Sequence, residues 1–147
     1  MSNTVNDDTI KLLRECNSGI KMGVSSIDDV IDRVKNKSLQ NILAQSRREH
    51  NELGSETRQI LNDYSDAGKD PNPIIKGMSW MKTNIKLTVE NSDATVADLM
   101  TDGCNMGVKS LSKYLNQYPA AEEKVKDITK RLIKLEEKLS VDMRGYL

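Results

Sequence analysis

Apolar residues recur at intervals of three and four along almost the whole chain, the spacing that gathers side chains on one face of a helix. Ile10, Leu13, Cys16, Ile20, Val24, Ile27, Ile31 and Val34 predict a first helix over about residues 8 to 36, with Asn6 or Asp7 placed to cap it. Leu39, Leu43, Ser46, His50, Leu53, Thr57, Ile60 or Leu61, and Tyr64 form a second seam, over about 38 to 64, with Ser38 as its cap. The short turn between the two makes them an antiparallel pair. Gly, Asp and Pro residues from Ser65 to Pro73 mark a loop. A third helix is expected over about 73 to 91, with Ile74, Met78, Met81, Ile85 and Val89 on one side and Trp80 beside them. The fourth, about 93 to 117, is capped by Ser92 or Asp93, and the fifth, about 119 to 145, has Pro119 in its first turn.

The second hairpin repeats the first. Gly19-Ile20-Lys21-Met22-Gly23-Val24-Ser25-Ser26-Ile27 recurs as Gly103-Cys104-Asn105-Met106-Gly107-Val108-Lys109-Ser110-Leu111, a shared pattern G-x-x-M-G-V-x-S-[IL]. The matching register continues, and after a two-residue shift at the turn it sets Leu43 on Val125 and Leu53 on Leu135. One helical pair cannot bury its own apolar face, so the two must pack together. The segment between them is long: about 18 helical residues cover roughly 27 Å, and with the loop they can cross a bundle of roughly 40 Å. A duplicated hairpin joined by such a crossover predicts a single all-α domain over residues 1–147 with a ferritin-like four-helix bundle.

Two long hairpins, a crossover segment carrying Trp80 after Gly77, and glycine-bearing stretches at Gly19 to Gly23 and Gly103 to Gly107 resemble an uncharacterised bacterial ferritin-like four-helix-bundle family. The resemblance covers about residues 8 to 145. It implies a fold and no settled activity.

Composition narrows the function classes. Lys plus Arg and Asp plus Glu balance at 22 each, so no net field favours nucleic acid. Phe is absent and Pro occurs three times, consistent with helix over sheet. The acidic start, Asp7 and Asp8, is unlike a secretory leader, and no apolar run approaches the roughly 20 residues that span a bilayer; the expected location is cytoplasmic.

A di-iron centre of the ferritin-like kind takes Glu-x-x-His from each of two helices, and therefore two His. This chain has only His50, with Arg47 where the Glu should stand; the matched positions in the other hairpin are Leu132 and Thr129. The seam positions for the single glutamates are Ile20 and Cys104. A degenerate metal motif follows, and the expected protein is a non-enzymatic bundle with a structural or protein-interaction role and no cofactor. His50 is expected to point inward as a buried, hydrogen-bonded imidazole. The alternative is an altered iron or manganese site on Glu49, His50 and Glu52, in an oxidoreductase or storage protein.

Glycines cost about 1 kcal/mol each inside a helix. Gly19, Gly23, Gly103 and Gly107 are therefore expected at packing positions where the two helices that bear them cross closely. Cys16 and Cys104 fall near the same crossing; they are candidate redox thiols, although without a C-x-x-C spacing a small apolar role is favoured. Lys76, Lys82 and Lys86 beside Trp80 raise peripheral membrane association through the crossover, against the favoured docking on the bundle. The expected partner is a second copy or another protein, through an exposed Met or Leu stripe, with Tyr146 and Leu147 packing on the bundle or on another chain.

Overall fold

The computed structural model describes residues 3–64 and 92–147, and the described chain is all-helical. Helix α1 runs Asn3–Val30 and ends in a 3-10 turn, Ile31–Arg33; α2 is Lys37–Asp63. Helix α3 is Asp93–Gln117, and α4 is Glu123–Met143, followed by a 3-10 turn at Arg144–Tyr146. The helix expected over 73 to 91, with Trp80 and its lysines, lies outside the described residues.

The seams of α2 and α4 are those the apolar spacing predicts. In α2, Leu39, Leu43, Ser46, His50, Leu53, Thr57 and Leu61 are buried, and in α4 so are Val125, Ile128, Leu132, Leu135, Leu139 and Met143. Several ends differ from expectation. Asn6 and Asp7 lie inside α1 and do not cap it. Asn36, not Ser38, caps α2, accepting a hydrogen bond from the Leu39 amide at 3.0 Å; its extended backbone aims the side chain back at the first free amides. Ser92 caps α3 as expected, through the Thr95 amide at 3.2 Å. Pro119 sits in the turn, and α4 starts only after Glu122.

Each hairpin's turn is held by the other hairpin. The backbone amides of Lys35 and Asn36 donate to the two carboxylate oxygens of Asp93, at 2.8 and 2.9 Å, in the first turn of α3. At the opposite end, the Ala120 amide donates to Asp8 at 3.0 Å and the Glu122 amide to Thr9 Oγ1 at 2.9 Å, both near the start of α1. Turn amides that no helix satisfies are thus satisfied by side chains in the first two turns of a neighbouring helix, and Asp93 stands in a first turn, where negative charge is favourable.

These contacts set the helix directions. Helix α1 is antiparallel to α2 and to α3, and α4 runs parallel to α1 and packs on it across the diagonal. Helix α2 ends beside the α3–α4 turn, where the Tyr64 hydroxyl donates to Glu122, whereas α3 begins at the other end, beside the α1–α2 turn. Tyr64 and Ser92 therefore stand at opposite ends of the bundle.

The core lies in three stacked clusters. Leu12, Leu13, Leu61 and Val125 fill one end. Cys16, Ile20, Leu53, Leu111 and Leu132 fill the middle, and Ile27, Val30, Leu39, Leu43, Met100 and Met143 the other end. Tyr146 packs on this last cluster, whereas Leu147 is exposed. Among the described residues the exposed large apolar side chains are Val5 of α1, Met106 of α3, Val141 of α4 and the terminal Leu147. No described helix is long and apolar enough to cross a membrane.

Candidate functional site: a glycine-lined cleft over a buried His–Glu pair

A polar layer crosses the core where all four helices meet. His50 of α2 and Glu136 of α4 lie 2.6 Å apart, Nε2 to Oε1, with side chains 1% and 11% exposed. His50 Nδ1 lies 2.7 Å from the Ser46 carbonyl, which can only accept, so Nδ1 carries a proton. Nε2 and the carboxylate oxygen then share one further proton between them. Burial alone pulls the imidazole down, but the hydrogen bond and charge of Glu136, the Ser46 carbonyl and the charge of Glu49 outweigh it and raise His50 above its ordinary value.

Glycines on the other two helices make room for this pair. A Cβ on Gly23 of α1 would stand 2.7 Å from both Cδ2 and Nε2 of His50, and one on Gly107 of α3 would stand 3.3 Å from Glu136 Oε2. The nearest atoms are side chains and not the backbone of the facing helix, so the expectation that close backbone approach explains these two glycines is corrected: the space belongs to His50 and Glu136.

Helices α1 and α3 lie side by side and enclose a cleft of about 160 Å³ above this layer. Gly19, Met22, Gly23 and Ser26 line it from α1. Gly103, Met106, Gly107 and Ser110 line it from α3. These are the fixed G-x-x-M-G-x-x-S positions of the repeated pattern, one copy on each wall. Ile27, Met100, Leu111, Leu132 and Leu139 complete an apolar lining, with His50 and Glu136 at its base. Glu15 and Tyr114 lie along the same cleft. Tyr114 is hydrogen-bonded to Glu15, yet Glu15 Oε2 is buried without a partner. Burial raises the Glu15 carboxyl above its usual range, and the Tyr114 hydrogen bond offsets this only in part.

The residues of the alternative metal reading do not converge. Glu52 is exposed on the outer face of α2, near Glu56 and Arg131, and Glu49 is half-buried beside Gln45, whose side-chain amide donates to it at 3.4 Å. Both ring nitrogens of His50 are engaged by protein groups, and among the described residues no set of three or more His, Cys, Asp and Glu is grouped to hold a metal ion.

The cysteines are both buried and free, with different partners. Thr129 Oγ1 spends its only proton on the Val125 carbonyl, so the Cys16 thiol, 3.1 Å away, is the donor to Thr129. Burial pushes Cys16 up to about 12. Cys104 lies against Glu136, and burial, then the carboxylate's charge and hydrogen bond, push it well above the usual thiol range. Neither is a thiolate near neutral pH, which disfavours thiol chemistry. We predict that a thiol reagent such as Ellman's reagent labels neither cysteine in the native protein at pH 8 and both in denaturant; rapid native labelling would contradict these environments.

The His–Glu pair also predicts a pH dependence of stability. Because the native state holds a proton on this pair that an unfolded imidazole has lost above about pH 6.5, its contribution is complete below that value and is lost as pH rises through the raised native pKa. The denaturation midpoint should fall between pH 6 and the upper end of this window. A His50→Leu/Glu136→Leu variant should lose that component of the slope, and an unchanged slope would refute the assignment.

Glu136 is the residue of this candidate site that sequence reasoning missed. It stands four residues after Leu132 and three before Leu139, a spacing that permits an inward direction. The run Lys134 to Lys138 is otherwise charged apart from Leu135, however, and reads as a solvated face. The chain matches no protein-family model, no curated protein and no solved structure.

Proposed function

We propose that this chain is a non-enzymatic four-helix bundle of ferritin-like topology, with a structural or interaction role, that binds its ligand in the cleft between α1 and α3. The observation that carries the reading is that both copies of the repeated Gly-Met-Gly-Ser pattern line one cleft from opposite walls. Glycine is poorly suited to helix interiors, and at Gly19 it keeps open a cleft-lining position that a leucine side chain would occupy. The long connection between opposite ends of the bundle supports the ferritin-like assignment. A binding role, as distinct from catalysis, is supported by the mutual satisfaction of the polar groups at the base. His50 has both nitrogens engaged, and the two thiols are held protonated.

Methionine methyl resonances test the reading. With ¹³C-methyl methionine and xenon as an apolar probe, Met22, Met100 and Met106 should shift together, while Met143, in the end cluster and off the cleft, should not. Gly19→Leu, which projects a side chain into the cleft, should abolish the response. Xenon shifts absent from these three methyls, or unchanged by Gly19→Leu, would defeat the proposal.

A further inference from the structure

We infer that the ligand of this cleft is a compact apolar molecule bearing a single protonated amine, which pairs with Glu15. The inference rests on the cleft being the binding site, and it follows from size, lining and a carboxylate oxygen left unpaired beside the cleft.

The volume of about 160 Å³ is close to that of an apolar core cavity that accepts a benzene-sized molecule, and well below the pockets that take drug-sized ligands. The body of the ligand is therefore on the order of six to nine non-hydrogen atoms. Methionines on both walls, Met22 and Met106, give flexible, polarisable surfaces that adapt to such a body.

The position of the head group follows from comparing the imidazole and the two carboxylates along the cleft, the groups able to pair with a cation or to hold a charge there. His50 is saturated by Ser46 and Glu136, and Glu136 is engaged by His50 and approached by Cys104. Glu15 differs: one side of its carboxylate meets Tyr114, and Oε2 is covered from solvent with nothing to accept from. A buried carboxylate oxygen without a donor is costly, and a cation is the partner that removes the cost most completely. Burial alone biases Glu15 towards its neutral form, and an ammonium beside it restores the carboxylate. Because Oε2 is covered in the free protein, ligand entry includes rotation of the unbranched Glu15 side chain towards the cleft.

Three probes of one shape separate head group from body: benzylamine, benzyl alcohol and toluene, titrated at pH 7 against the methionine methyl signals of the full chain. Wild-type protein should bind benzylamine about tenfold or more tightly than toluene, with the alcohol between them. Glu15→Gln should reduce that preference to within about twofold while leaving toluene binding intact, which also shows that the variant is folded. Toluene binding without any amine preference in the wild type, or a preference that survives Glu15→Gln, would overturn the head-group inference and leave the cleft reading standing. Failure of all three probes would overturn both.

Discussion

Replacing Gly23 by alanine is expected to destabilise the protein by about 2 to 4 kcal/mol, although the same change in an ordinary helix interior gains up to about 1 kcal/mol. The new methyl would stand 2.7 Å from two atoms of the His50 ring, far inside contact distance. The ring cannot yield cheaply, because it is held at one nitrogen by the Ser46 carbonyl and at the other by Glu136. Moving it breaks at least one buried hydrogen bond involving a charged group, each worth roughly 1.5 to 3 kcal/mol. Gly19→Ala is the matched control one turn away. Its methyl would meet Leu132 Cδ2 at 3.7 Å, an ordinary contact, so helix propensity should dominate and raise stability by up to about 1 kcal/mol. Urea denaturation with unchanged m values measures both. Equal effects at the two glycines would show that the His50 ring does not decide the cost.

The second large effect is expected from splitting the His–Glu pair. His50→Leu alone strands a buried carboxylate, and Glu136→Leu alone strands Nε2 and removes the acceptor beside Cys104. Each should cost about 2 to 4 kcal/mol, since an unpaired buried polar group retains its desolvation penalty. The double variant should recover most of the loss, because two leucines of similar volume leave nothing to satisfy. The coupling energy from the cycle is then at least about 2 kcal/mol. Additive losses would mean that the two side chains contribute separately, contrary to their 2.6 Å contact. Gly107 sharpens the interpretation: truncating Glu136 to alanine removes the Oε2, Cδ and Cγ atoms that a Cβ there would meet, so Gly107→Ala should be tolerated better in a Glu136→Ala background than in the wild type.

Both predictions turn on contacts between residues far apart in sequence, and this divides what was legible in the chain from what was not. The inward direction of His50 was readable because Ser46 and Leu53 flank it at helical spacing in a seam made mostly of leucines. The glycines were readable as non-random because the repeat retained all four against helix propensity. Their purpose was not, because a glycine reports only that something needs space. At Gly23 the occupant is an imidazole from the next helix, and at Gly107 it is a carboxylate from α4.

The sequence by itself determined that the described chain is helical, where its four helices lie to within about two turns, and which faces of α2 and α4 are buried. Periodicity is a local property, and each seam is carried by residues within a few turns of one another. Tertiary structure alone decided that Glu136 and not Glu137 enters the core, that Asn36 and Asp93 serve one turn together, and that the repeated motifs face each other across a cleft. These outcomes depend on pairings between separate helices, some more than eighty residues apart along the chain, whose energies exist only once the helices have chosen their neighbours and their register.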